Sequence, residues 1–121
     1  MAGCVLKFGG SSLATTDLMR QGAALVKKHW SPSSPVAVVV SAMGNQTDQL
    51  VALAKDLGAS DGPAYDTIIA AGEQISTGAM ALALQELGLK AAPLQGWQLP
   101  ITTSDTHSKA RILSISLEPL K

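Results

Sequence analysis

The chain is predicted to fold as a single α/β domain, a three-layer αβα sandwich on a mainly parallel sheet. Three observations carry that expectation. Short apolar runs of strand character alternate with amphipathic helical segments, an order that places helices on both faces of a parallel sheet. The first two of those runs each end in a polar loop that opens a helix, as strand tips do in open α/β sheets. Apolar residues make up 46% of the 121 positions and charged ones 15%, enough to bury a core and too apolar for a disordered chain.

Each element follows from local chemistry. Cys4 to Phe8 (CVLKF) is an apolar run with one lysine that stops at Gly9-Gly10, a buried strand feeding a loop. Ser11 to Thr16 offers several capping side chains. From Asp17, apolar residues recur at Leu18, Met19, Ala23, Leu25 and Val26, with Lys27 and Lys28 in the last turn, which predicts an amphipathic helix with dipole-compatible ends. Trp30 to Pro35 is loop chemistry. Val36 to Val40 (VAVVV) is unbroken and rich in β-branched residues, the pattern of a strand covered on both faces. Ser41 to Gln46 is a second polar loop, and Thr47 is expected to cap a helix over Asp48–Leu57 that Gly58 ends. Asp61-Gly62-Pro63 is a turn. Ala64 to Leu87 reads as helix, one or two, with a break expected near Gly72 and an end at Gly88. Lys90 to Gln95 is a third strand candidate. Ile101 to Thr103 and Ala110 to Ile115 form a pair of strands joined by a polar turn, and Glu118-Pro119 breaks the last pattern.

Composition removes several function classes. Nine Lys/Arg balance nine Asp/Glu, without the basic excess or stripe of a protein that wraps nucleic acid. The densest basic cluster, Lys27-Lys28-His29, closes a helix. Aromatic residues are 3% of the chain, too few for a base-stacking surface. One cysteine, Cys4, allows no internal disulfide and no four-cysteine zinc site. The N-terminus lacks signal-peptide organisation, and the apolar stretches fall short of the ~20 residues that span a bilayer. A cytoplasmic setting is therefore expected, with no membrane or nucleic-acid partner.

Three places could carry chemistry. At Lys7-Phe8-Gly9-Gly10-Ser11-Ser12, glycines let the backbone approach an anion, lysine adds a point charge suited to phosphate, and serines add donors. An ordinary strand-to-helix turn with a snorkelling lysine explains the same residues. Neither G-x-x-x-x-G-K-[ST] nor G-x-G-x-x-G is present. At Ser41-Ala42-Met43-Gly44-Asn45-Gln46-Thr47-Asp48, Ser41 and Thr47 can donate to a carboxylate or phosphate, while Asp48 is explained by the charge preference of a helix N-terminus. Glu73, in Ala71-Gly72-Glu73-Gln74-Ile75-Ser76, is either a carboxylate awaiting a cationic partner such as an amine or a residue on a solvated face. His29 and His107 have no metal-ligand spacing, and no protein-held metal is expected. Trp97, in Gly96-Trp97-Gln98, is a packing residue in a turn.

Together these segments resemble the aspartate kinase family. Lys7-Phe8-Gly9-Gly10-Ser11-Ser12 is similar to its N-terminal signature. Val38-Val39-Val40-Ser41-Ala42-Met43-Gly44 with Thr47-Asp48-Gln49-Leu50 is similar to its second block, and Ala71-Gly72-Glu73-Gln74-Ile75-Ser76 to its third. Gly96-Trp97-Gln98, Ile101-Thr102-Thr103 and His107-Ser108-Lys109-Ala110-Arg111-Ile112 resemble a fourth. All four occur in the family's order and span nearly the whole chain. Ser11 stands where many relatives carry Thr, and Asn45-Gln46 replaces the pair often found before Thr47.

The resemblance implies an amino acid kinase-like fold and transfer of the ATP γ-phosphate to the β-carboxylate of L-aspartate, with magnesium, towards lysine, threonine and methionine. It implies that Lys7 neutralises the transferring phosphoryl group as the catalytic cation. Phe8, Gly9, Gly10, Ser11 and Ser41 would line the phosphate, while Ser41, Thr47, Asp48 and Glu73 would contact the substrate, Glu73 through its amino group. Residues 1–121 would be the N-terminal, substrate-binding part of a kinase domain. The later glycine-rich block, most of the nucleotide site and the regulatory ACT domains would be absent. Two alternatives remain. One is a non-catalytic half domain that binds substrate or a complementing kinase chain. The other is a different amino acid kinase, which the Ser-Ala-Met-Gly/Thr-Asp and Gly-Glu-x-x-Ser blocks argue against. A domain of this size buries only ~65% of its unfolded surface, so the isolated chain is expected to be marginally stable or a homo-oligomer.

Overall fold

The computed structural model describes residues 3–121. Strand β1 (Cys4–Phe8) and strand β2 (Val36–Val40) pair in parallel, from Cys4 opposite Val36 to Phe8 opposite Val40. The crossover between them is helix α1 (Thr16–His29). The Thr15 hydroxyl oxygen accepts from the Leu18 N–H at 3.1 Å, Asp17 lies in the first turn, and Lys27, Lys28 and His29 lie in the last. Capping and dipole chemistry thus set both ends where expected.

Helices α2 (Gln46–Asp56) and α3 (Pro63–Glu86) follow. Both end as Gly58 and Gly88 predict. Ala59 N–H returns to the Ala54 carbonyl at 2.9 Å, and Leu89 N–H to the Leu84 carbonyl at 3.1 Å. After a coil and a short 3₁₀ turn at Gly96–Gln98, strands β3 (Ile101–Thr103) and β4 (Ile112–Ile115) form a separate antiparallel hairpin.

The core lies between one face of the β1–β2 pair and helices α1 and α3. Phe8, Leu13, Met19, Ala23, Val26, Met80, Ala83 and Leu84 are buried, with Leu6, Val36, Val38 and Val40 packed against them. Salt and hydrogen bonds tie the two helices at the rim. Arg20 Nε donates to Glu86 Oε2 at 3.0 Å, and Lys27 Nζ donates to the Leu87 carbonyl at 2.9 Å.

The structure corrects five details of the sequence reading. Thr47 is not the cap of α2: it lies one residue inside a helix whose N-cap position is Asn45, and Asn45 makes no side-chain capping bond. No break occurs at Gly72, because α3 is one helix of 24 residues and Gly72 is a contact point. Lys90–Gln95 is not a strand. With no ladder partner, it is coil: Leu89 and Ala91 turn onto the core, and the Ala91 carbonyl is satisfied by Gln85 Nε2 at 3.0 Å. Strand β2 is covered on one face only, since Val36, Val38 and Val40 face the core while Ala37 and Val39 are exposed. Finally, α3 is long and apolar enough, by length and composition, to cross a membrane. Its buried residues Gly72, Ser76, Met80, Ala83 and Leu84 recur at helical spacing and make it a packing helix here.

Candidate functional site

Parallel pairing brings the carboxyl ends of β1 and β2 side by side, and two hydrogen bonds stitch their loops together. Ser41 N–H donates to the Phe8 carbonyl at 3.1 Å, and Gly44 N–H donates to the Gly10 carbonyl at 2.9 Å. The approach is close enough that a Cβ on Gly10 would stand 2.8 Å from the Ala42 carbonyl oxygen, closer than real Cβ atoms come. Only glycine permits this seam. Above Gly9, in contrast, a Cβ would meet nothing within 4 Å, so the tip of the first loop is open.

Helix α3 crosses the second loop at Gly72. A Cβ there would stand 2.9 Å from the Ala42 Cβ and 3.3 Å from Leu50 Cδ1. Ser41 and Glu73 are therefore each one residue away from the same Ala42–Gly72 contact. The three sequence blocks that carry Lys7, Ser41, Thr47 and Glu73 meet at one end of the sheet.

The individual residues behave differently. Lys7 is exposed on the outward face of β1, and among the described residues it forms no ion pair. Phe8 places its ring in the core, beside Gly22, so only its backbone faces the loops. Gly9 and Ser11 are exposed, and Ser41 and Thr47 are half-buried. Asp48 is exposed in the first turn of α2, where its charge suits the helix N-terminus. Glu73 is exposed on α3, as the solvated-face reading has it, and its carbonyl accepts from the buried Ser76 hydroxyl at 3.1 Å.

Two features escaped the sequence reading. Gln46 Oε1, beside Gly72, is buried and has no hydrogen-bond partner among the described residues. Asp66, in the first turn of α3, accepts from Ser108 and lies beside His107. The Ser108 N–H and hydroxyl hold the Asp66 carboxyl below the usual carboxylate range, with a smaller contribution from His107. Neither feature has a sequence signal, because each depends on contacts between distant segments.

Among the described residues no three His, Cys, Asp or Glu side chains gather as a metal cage. The groove between α1 and α3, lined by Met19, Arg20, Ala79, Leu82 and Ala83, shares only Met43 with the second loop.

The amino acid kinase family matches residues 3–121. The chain belongs to the amino acid kinase family. Within it, this amino acid kinase chain is 39% identical over 125 residues to an aspartokinase of Rickettsia felis, covering 100% of the chain and 31% of that relative. It is 42% identical over 114 residues to an aspartokinase of Geobacillus stearothermophilus, covering 92% of the chain and 28% of the relative. The crystal structure of aspartate kinase from Synechocystis superposes with a TM-score of 0.74 at 38% identity, over 81% of this chain and 17% of that one. The chain thus spans about 31% of the length of the Rickettsia felis relative it matches. The α/β class and the parallel sheet agree with that neighbour.

Proposed function

We propose that the chain is the acceptor-binding, N-terminal part of an aspartate kinase. That enzyme transfers the γ-phosphate of ATP to the β-carboxylate of L-aspartate, towards lysine, threonine and methionine, in the cytoplasm. One observation supports the reading: the two strand-end loops and the Gly72 contact of α3 bring the three sequence blocks that carry the candidate residues to one end of the sheet. The aspartokinase relatives support it.

Phosphoryl transfer asks for positioning and charge stabilisation more than covalent chemistry. Lys7, exposed near the end of β1 and without an ion pair among the described residues, neutralises charge on the transferring group. The backbone of Gly9 and Gly10 approaches its oxygens, with the Ser11 hydroxyl as a further donor. Ser41 and Thr47 hold the acceptor carboxylate. Glu73 takes the amino group of aspartate. Magnesium, which arrives with the nucleotide, supplies further charge neutralisation.

The test is ATP-dependent formation of aspartyl phosphate, trapped with hydroxylamine, beside a Lys7→Ala variant. The expected loss is roughly 10²–10³-fold, as for removal of one preorganised stabilising group. Calorimetry of L-aspartate binding to the parent chain and to Glu73→Gln separates binding from turnover. A folded parent chain that neither binds aspartate nor forms product overturns the reading.

A second reading is favoured by the open face of the β1–β2 pair. There Val5 is 68% and Val39 46% exposed. In that reading the chain binds aspartate without turnover and completes its sheet face against another kinase chain or a second copy. Binding without product, together with self-association, would support it.

A further inference from the structure

The fourth sequence block has no part in the two stitched loops, yet its last segment, from His107, makes a two-point polar contact with a distant part of the chain. Ser108 N–H donates to Asp66 Oδ2 at 2.9 Å, and the Ser108 hydroxyl donates to Oδ1 at 2.8 Å. His107 Nδ1 lies 3.2 Å from Oδ2, and Gly62 N–H donates to Ser108 Oγ at 3.1 Å. Both oxygens of one carboxylate are thus engaged by two consecutive residues of the β3–β4 loop.

Two further facts make this contact more than surface decoration. Ser108 has φ +62°, and among the described residues it is the one non-glycine with positive φ. Serine holds that conformation only where surrounding bonds over-determine it. The hairpin beyond the loop lacks an apolar anchor, since every residue of β4 is exposed and Ile112, Leu113 and Ile115 lie outside the core.

We propose that Asp66 is the catch of a latch that docks the 104–109 loop, and with it the β3–β4 hairpin, on the first turn of α3. Ser108 is the bolt, and its left-handed backbone is the strained, closed position. Asp66 and Glu73 are seven residues apart and share one face of α3. The docked loop therefore borders the face that carries Glu73. Asp66 touches no reacting atom, so it is a positioning residue, and the latch holds whether or not the proposed reaction does.

Lys109 and Arg111 make the latch measurable, because both are exposed trypsin sites, one in the docked loop and one where the hairpin resumes. Lys90, exposed in coil away from the latch, serves as the internal reference. In Asp66→Asn, cleavage after Lys109 and Arg111 should accelerate about tenfold or more relative to Lys90, as the loss of charge-assisted hydrogen bonds implies. Ser108→Ala, which keeps the N–H bond, should open the loop less. The double variant should add little to Asp66→Asn, since both changes remove the same contact. Equal cleavage ratios in parent and Asp66→Asn overturn the proposal. If Asp66→Asn does not fold, an unchanged ratio in Ser108→Ala does so.

Discussion

A single methyl group separates glycine from alanine at position 10, and the seam between the two loops has no room for it. The nearest atom to that methyl is the Ala42 carbonyl oxygen, which belongs to backbone and cannot rotate away. Gly10→Ala should therefore cost about 1–3 kcal/mol, the usual range for overpacking, and should displace the second loop. Urea unfolding reads the first effect, and a parallel loss of aspartate binding reads the second. An unfolding midpoint equal to the parent's would show that the loops do not meet this closely. At this scale the sequence was partly legible. Lys7, Gly9 and Ser41 announce themselves as strand-tip residues. Gln46 and Asp66 do not, because their significance lies in a missing partner and a distant one. Gly72 was legible as unusual and misread as a break: in the folded chain its small size serves contact with Ala42 and Leu50.

Among the elements, α3 does most of the organising. Its buried residues run from Gly72 to Leu84, with small side chains at the second-loop end and Met80 further along. Met80 is buried and reaches Gly22 of α1, where a Cβ would stand 3.4 Å from its Cε. Met80→Ala should destabilise the chain by about 2–5 kcal/mol, the span for deleting a large buried apolar side chain. Chemical denaturation checks this, and a change below about 1 kcal/mol would mean that the α1–α3 contact collapses onto the void without loss. Helix ends were legible because glycine and capping chemistry act within a few residues. Strand status at Lys90–Gln95 was not, because a strand is defined by its partner, and that segment finds its hydrogen bond in the side chain of Gln85 instead.

The whole molecule buries one face of its parallel pair and leaves the other open, with Lys7 among Val5, Ala37 and Val39 on the open side. Apolar surface of this kind drives association. The parent chain should therefore sediment as a concentration-dependent mixture, and Val39→Lys should shift it towards monomer. Because Val39 is outside the core but stands opposite Lys7, the replacement should cost only about 0.2–1 kcal/mol of unfolding free energy, from the like-charge pair. Sedimentation that is monomeric and concentration-independent in the parent would remove the case for a partner on this face. By itself the sequence determined the α/β class, four of its strands, both glycine-terminated helices and the family, since periodicity, capping and motif order are written in neighbouring residues. The tertiary structure alone decided which face of β2 is buried, that α3 runs unbroken, and that Asp66 holds Ser108. Each of those depends on what a segment meets in space, and no local pattern encodes a neighbour far away along the chain.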